Sequence, residues 1–240
     1  MSKRAFTEGT EHTESTKQQS QNHAVIILAS GLSQRLGEPK QLLVKNGEPL
    51  IIYMTRLAIT TNPQAIVIVI PDNHRLIAST ITELANQYPA VQIVVNSQAD
   101  TGMAHSLRLG IETIAAFKST SIERVLIMGV DQVLLDEPHL TALLADKQTI
   151  VASHYHSWQD LAKHQNLDKA VSDIIGLPLA INYKLLRQWQ SELTGDKGLR
   201  HLIRGLPADQ IGRVDNHQLS YDIDTPEHLA FAKQQGWLDS

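Results

Sequence analysis

The sequence contains no cysteine among its 240 residues. That absence excludes disulfides, thiolate-held iron–sulfur clusters and a cysteine nucleophile. Positive charge is not in excess either, since 21 Lys and Arg stand against 25 Asp and Glu for a formal net charge of -4. A broad basic face able to hold nucleic acid through its backbone phosphates is therefore not expected. No unbroken apolar run approaches the roughly 18 residues of a membrane span, and the first residues lack the apolar stretch of a signal peptide. The expectation is a cytoplasmic protein that binds neither membrane nor nucleic acid.

Met1–Asn22 is rich in Thr, Glu, Gln and Ser and nearly devoid of apolar side chains, so it reads as a disordered polar tail that cannot offset its own ordering entropy. From residue 23 onward the composition changes. The chain as a whole is 42% hydrophobic, enough to build one substantial core. No repeat and no Pro/Gly/Ser-rich linker divides residues 23–240, which are read as one domain.

Short apolar runs alternate with longer segments of helical period, the pattern of parallel strands joined by crossover helices. Ala24–Ala29, Ala65–Ile70, Val91–Val95, Arg124–Met128 and Thr149–Ser153 read as buried strands. Leu76, Ile77, Ile81, Leu84, Ala85 and Tyr88 form one core-facing helical stripe; Met103, Leu107, Ile111 and Ile114 form another. A polar stretch, 154–173, interrupts the pattern and reads as an insertion before an apolar run over Ile174–Ile181. Helices are expected at Tyr183–Leu193 and Lys197–Arg204, and a last one from Pro226 with Thr225 as its cap.

The most informative segment is Leu28-Ala29-Ser30-Gly31-Leu32-Ser33-Gln34-Arg35-Leu36-Gly37-Glu38-Pro39-Lys40. A buried strand runs into small residues that let backbone N–H groups approach phosphate oxygens, and Arg35 and Lys40 could neutralise a polyphosphate. Neither the Walker A pattern nor the dinucleotide fingerprint G-x-G-x-x-G is present. An ordinary strand-to-helix turn with surface cations is the alternative from composition alone.

This segment resembles the L-A-A/G-G-x-S-x-R-M/L-G-x-x-K signature of the nucleotidyltransferases that act on molybdopterin, the MobA-like enzymes, and more broadly of sugar-phosphate nucleotidylyltransferases. Gln41-Leu42-Leu43 and Gly47-Glu48-Pro49-Leu50-Ile51 continue the likeness. Asn96 with Gly102-Met103-Ala104-His105-Ser106-Leu107-Arg108, Gly129-Val130-Asp131-Gln132, Gly195-Asp196-Lys197-Gly198-Leu199-Arg200 and Asp222-Ile223-Asp224-Thr225-Pro226-Glu227 are similar to the family's later motifs, in the same order. Val130 and Val133 depart from G-D-Q-P, and Gly176-Leu177-Pro178 stands where G-H-P is usual.

The resemblance implies a three-layer α/β/α, Rossmann-like nucleotide-diphospho-sugar transferase fold with a mostly parallel sheet. It implies a nucleotide site at Leu28, Ala29, Ser30, Gly31, Ser33, Arg35, Lys40, Asn96, Gly102 and Ser106. Arg35, Lys40 and Asp131 are the catalytic candidates, and Mg²⁺ is expected on Asp131 and Asp222, with Asp224 as the alternative ligand or as a helix cap. The expected substrates are an NTP and a phosphorylated small molecule, molybdopterin first, with a molybdoenzyme or its chaperone as a further partner. Because Ser30 is nearer Ala than Gly in bulk, CTP is favoured over ATP and GTP. A sugar- or polyol-phosphate enzyme of the same fold and a non-catalytic maturation factor are the competing readings. His154, His156 and His164 lack a carboxylate or cysteine at a recognised metal spacing, and Trp158 could stack on a planar acceptor or anchor the insertion.

Overall fold

The computed structural model describes residues 22–72, 74–117, 121–156 and 173–240. The tail expected over Met1–Asn22, Asn22 apart, lies outside these residues, as do 157–172 of the expected insertion, with Trp158 and His164. In chain order the elements begin with β1 (His23–Leu28), β2 (Val44–Lys45), β3 (Glu48–Pro49), α1 (Leu50–Thr60), β4 (Ala65–Pro71), α2 (Arg75–Gln87), β5 (Val91–Asn96) and α3 (Met103–Ala116). They continue with β6 (Arg124–Gly129), α4 (Glu137–Ala145), β7 (Ile150–His156), β8 (Asp173–Asn182), α5 (Tyr183–Trp189), α6 (Arg200–Ile203), β9 (Ile211–Asp215) and α7 (Pro226–Gln234).

Seven strands form one sheet in the order β5-β4-β1-β6-β8-β7-β9. Only β8 runs against its neighbours, pairing antiparallel with β6 and β7, while the other pairs are parallel. Successive strand residues point to opposite faces, so a strand covered on both sides must be apolar at every position. In β1, Val25 and Ile27 enter a core shared with α1, α2, α4 and α7, whereas Ala24 and Ile26 enter a second core with α3, α5 and α6. The result is the expected three-layer α/β/α arrangement.

Topology places the ligand-binding edge. From β1 the chain steps outward on one side to β4 and β5, then crosses to the other side of β1 for β6. The crossovers reverse between β1 and β6, and their carboxyl ends are level because Leu28 pairs with Gly129. A crevice opens at such a switch point, so the loops after β1 and β6 face one another there.

Several local expectations need correction. Leu76 and Met103, assigned to core-facing stripes, are 66% and 43% exposed. Leu76 sits one residue, about 100° of helix, from the buried line of Ile77, Ile81 and Leu84, and Met103 lies on the first turn of α3 beside an open cavity. The helix expected over Lys197–Arg204 shortens to α6, because Gly198 adopts φ 52°, which a right-handed helix cannot include. The one expected over Tyr183–Leu193 ends as α-helix at Trp189 and finishes as a 3₁₀ turn, Gln190–Glu192. Strand β7 continues through His156, since β8 supplies partners as far as Asp173, and so takes in the first three residues of the expected insertion. Helices α1 and α4 were not anticipated. The first is apolar at most positions, which hides its buried line of Leu50, Ile51, Met54 and Ala58; the second carried a readable start signal in Asp136, whose side chain accepts from the His139 N–H at 3.0 Å, with Pro138 in the first turn.

Buried His139 ties three elements together. Its Nε2 lies 2.7 Å from Ser153 Oγ, which in turn donates to the Pro178 carbonyl at 2.6 Å, linking α4, β7 and β8. Burial holds the His139 imidazole below its ordinary range, with Asp136 opposing. In the window below about pH 6.5 the unfolded chain therefore binds more protons than the folded one, and stability falls as pH drops through it. Urea unfolding between about pH 5 and 7 should show this decline in the parent protein and a flatter profile in His139→Gln.

Candidate active site

The loop after β1 is fixed by one buried amide. Gln41, 1% exposed, donates from Nε2 to the carbonyls of Ala29 at 2.7 Å and Gly31 at 2.9 Å. The Ala29 N–H is itself held by the Val69 carbonyl at 2.9 Å. Ser33 takes a left-handed conformation, φ 51°, so that its carbonyl accepts from the N–H groups of Leu36 and Gly37 and its Oγ from the Lys40 N–H at 3.2 Å. The loop thus folds back on itself and returns Arg35 and Lys40 to the end of β1.

There the cations meet carboxylates from distant parts of the chain. The Lys40 ammonium lies 2.8 Å from Asp131 Oδ2 and 2.9 Å from Asp224 Oδ1, and Arg35 Nη2 lies 2.8 Å from Asp224 Oδ2. Burial alone would lower the Lys40 pKa, yet Asp131 and Asp224 outweigh it and hold the ammonium above its ordinary range. Burial alone would raise Asp224, but its bonds to Lys40 and then Arg35 keep it below the usual carboxylate range. Asp222 has no such bond. Burial first, then the charges of Asp131 and Asp224, push its carboxyl up to about 7. The site thus holds more negative charge than its two cations neutralise.

Beside this cluster is a cavity of about 260 Å³ reached by Ser30, Gly31, Lys40, Gly102, Ser106 and Asp131. Ser30 and Ser106 share a hydrogen bond of 2.6 Å between their hydroxyls, and Asn96 donates to Ser106 at 2.9 Å from behind. Gly31 and Lys40 also face a second cavity, about 510 Å³, that includes Ser33, Arg35 and Asp224. Gly129 lets the Asp131 carboxylate fold back over the end of β6, since a Cβ there would lie 2.8 Å from Asp131 Oδ1. The departures at Val130 and Val133 are buried, and Asp131 keeps its place at the strand end.

The structure therefore brings Leu28, Ser30, Gly31, Ser33, Arg35, Lys40, Gly102, Ser106, Asp131 and Asp224 to one contiguous depression, with Asp222 electrostatically coupled to it. Ala29 and Asn96 support it from beneath: Ala29 is fully buried, and Asn96 is 1% exposed with its side chain turned to Ser106 and to the Gln98 N–H. Asp224 does not cap the last helix. Thr225 does, accepting from the His228 N–H at 3.3 Å, while Asp224 turns to the cations. His154 pairs with Asp215 at 2.6 Å and His156 stacks on His217; among the described residues no group of three or more His, Asp or Glu side chains is arranged to hold a metal alone. Two contributors were missed as site residues. Gln41 had a signal only in its place beside Lys40, and Asp196, which borders all three cavities around the site, had one in the Gly195-Asp196 motif.

Gly102 is where the segment carrying Asp196 closes on the site. It has φ 103°, and a Cβ there would collide with Asp196 Oδ1 and lie 2.7 Å from the Gly195 carbonyl carbon. Gly102→Ala should lower stability by about 1–3 kcal/mol. Gly31→Ala, whose added methyl meets nothing within 4 Å, should stay within about 0.5 kcal/mol of the parent. Urea titrations of the two variants check the contrast.

Solved nucleotidyltransferases share this fold. A 4-diphosphocytidyl-2C-methyl-D-erythritol synthase from Anaerococcus prevotii superposes with a TM-score of 0.64 at 18% identity, over 90% of this chain and 96% of that one. A nucleotidyl transferase from Methanothermobacter gives 0.65 at 18% identity, over 90% and 97%. An inositol-1-phosphate CTP transferase from T. maritima gives 0.64 at 17% identity, over 91% and 95%. At these identities the likeness is one of fold. No curated protein sequence matches the chain significantly. The family model of the MobA-like NTP transferase domain, however, matches residues 25–213, a span that contains the first loop, Lys40 and Asp131, and the chain belongs to that family.

Proposed function

We propose that this nucleotidyltransferase transfers CMP from CTP to the phosphate of molybdopterin, or of its molybdenum-bearing form, and releases pyrophosphate. The observation that carries the reading is the convergence of Arg35 and Lys40 on Asp131, Asp222 and Asp224 at the switch point of the sheet. Cations beside an acidic cluster at the end of parallel strands suit a polyphosphate chain.

In the reaction an oxygen of the acceptor phosphate attacks the α-phosphorus and forms the new P–O bond. The bond from that phosphorus to the bridging oxygen breaks, and the electron pair leaves with pyrophosphate. A phosphate monoester is largely ionised at neutral pH, so no general base is required. Arg35 and Lys40 would neutralise the departing pyrophosphate, Lys40 exchanging a carboxylate partner for a phosphate oxygen. The Ser30–Ser106 pair and Gly102 would receive the nucleoside portion.

The residues fit Mg²⁺. Asp222, raised to about 7 beside Asp131 and Asp224, marks a site where negative charge is in excess, and hard oxygen donors are what this ion takes. Asp131 and Asp222 would hold it together with nucleotide phosphates. When bound, the ion would supply charge neutralisation at the reacting phosphates.

Ser30 stands where the resembling cytidylyl enzymes carry Ala and the guanylyl ones Gly, and its bulk, nearer Ala, favours CTP. A second reading, a polyol-phosphate cytidylyltransferase, is favoured by the fold neighbours named for inositol-1-phosphate and methylerythritol chemistry.

Lys40→Ala should reduce turnover by about 100-fold or more while the fold survives. Gly31→Ala should weaken CTP binding, because Gly31 borders both cavities proposed to hold the nucleotide. Pyrophosphate release with CTP, ATP and GTP, alongside circular dichroism of each variant, checks both. Near-parental turnover in Lys40→Ala would overturn the assignment.

A further inference from the structure

One acidic side chain reaches every part of the depression. Asp196 borders the small cavity beside Ser30 and Ser106, the polar one beside Arg35 and Lys40, and the apolar one beyond Leu177. It is exposed, and among the described residues no cation or hydrogen-bond donor engages its carboxylate. The short segment that carries it is seated on the start of α3 at two points. Gly102 lies so close to Asp196 Oδ1 that no Cβ fits between them, and a Cβ on Gly198 would lie 3.0 Å from Met103 Sδ. Left-handed backbone at Gly195, φ 57°, and at Gly198, φ 52°, carries the chain into that contact and out of it. Backbone packing, and not a charge partner, therefore fixes where the carboxylate stands.

Its chemistry decides what it can meet there. An ionised carboxylate accepts hydrogen bonds and donates none, and it repels the phosphates that Arg35 and Lys40 attract. Of the parts of a nucleoside triphosphate, only the base and the sugar carry donors. Position separates the two. With the nucleoside beside Ser30 and Ser106 and the phosphates beside Arg35, the sugar lies where the two cavities meet, because it joins base to phosphate. Asp196 stands at that border together with Gly31, Lys40 and Gly102, which line both cavities. An exocyclic amine projects from the far side of the base, away from the phosphates.

We propose that Asp196 selects the nucleotide by its sugar, accepting hydrogen bonds from the ribose hydroxyls and so favouring ribonucleotides over their deoxy counterparts. The assignment rests on the nucleotidyl-transfer reading above and adds a specificity-determining residue to it. It also gives the bare backbone at Gly102 a function, since a side chain there would push the carboxylate away from the sugar.

The test uses the full chain with Mg²⁺, and calorimetry reads the affinities of CTP, 2′,3′-dideoxy-CTP and UTP. The parent should bind CTP about tenfold more tightly than dideoxy-CTP, the size expected for a charge-assisted hydrogen bond at an open site. Asp196→Ala should bring the two affinities within about twofold of each other. Asp196→Asn, which keeps one acceptor oxygen, should retain about a threefold preference. Removing a negative charge alters the affinity for every triphosphate, so the ratio decides and the absolute affinity does not. The ratio of CTP to UTP should stay within about twofold of the parent in both variants, because those nucleotides share one sugar. Normal CTP binding with equal affinity for dideoxy-CTP in the parent, or a preference for CTP that Asp196→Ala leaves in place, overturns the sugar assignment alone. So does an Asp196→Ala variant that changes the CTP-to-UTP ratio instead. Failure of the parent to bind any of the three nucleotides overturns this assignment together with the reading on which it rests.

Discussion

One ammonium group organises the working end of this molecule. Lys40 bridges Asp131, at the end of β6, and Asp224, just before α7, while itself belonging to the loop after β1. The partners are 91 and 184 residues away in sequence. Three segments with no local reason to meet are thus held by a largely buried charge that would be costly to leave unpaired. The bridge holds both carboxylates within 2.9 Å of one ammonium, at the end of the sheet where the loops after β1 and β6 meet.

The sheet makes this convergence possible. Strands β1 and β6 are adjacent, parallel and level at their carboxyl ends, so the residues after Leu28 and after Gly129 emerge side by side. Neither strand could move without breaking cores on both faces of the sheet. The active end is therefore built on strands that are buried on both faces. The buried Gln41 amide ties the first loop to the end of β1, and the Ser30–Ser106–Asn96 hydrogen bonds link that loop to α3 and β5.

Charge and shape divide the depression into functionally distinct parts. Near Arg35 and Lys40 it is polar, with paired cations and carboxylates; beside Ser30 and Ser106 it is small; beyond Leu177 it is wide and apolar. This gradient suits a reaction that joins a highly charged donor to an acceptor carrying a single reactive phosphate. The family match supports nucleotidyl transfer.

Much of this was legible in the sequence, because strands covered on both faces must be continuously apolar and phosphate loops must be small and cationic. The runs around Val25, Val67, Val94 and Ile127 are strands as read, and Lys40 meets Asp131 while Arg35 joins the same cluster through Asp224. What the linear order could not give was decided by packing. Whether Asp224 caps α7 or pairs with Lys40 depends on which group lies nearer in space, and Thr225 took the cap. Gly198 ended a helix that periodicity alone would have begun earlier, because backbone handedness overrides apolar spacing. The roles of Gln41 and Asp196, and the apolar cavity behind Leu177, exist only once distant segments close on one another: sequence determines which chemistry each segment can offer, and tertiary structure determines which of those groups come within reach of the same ligand.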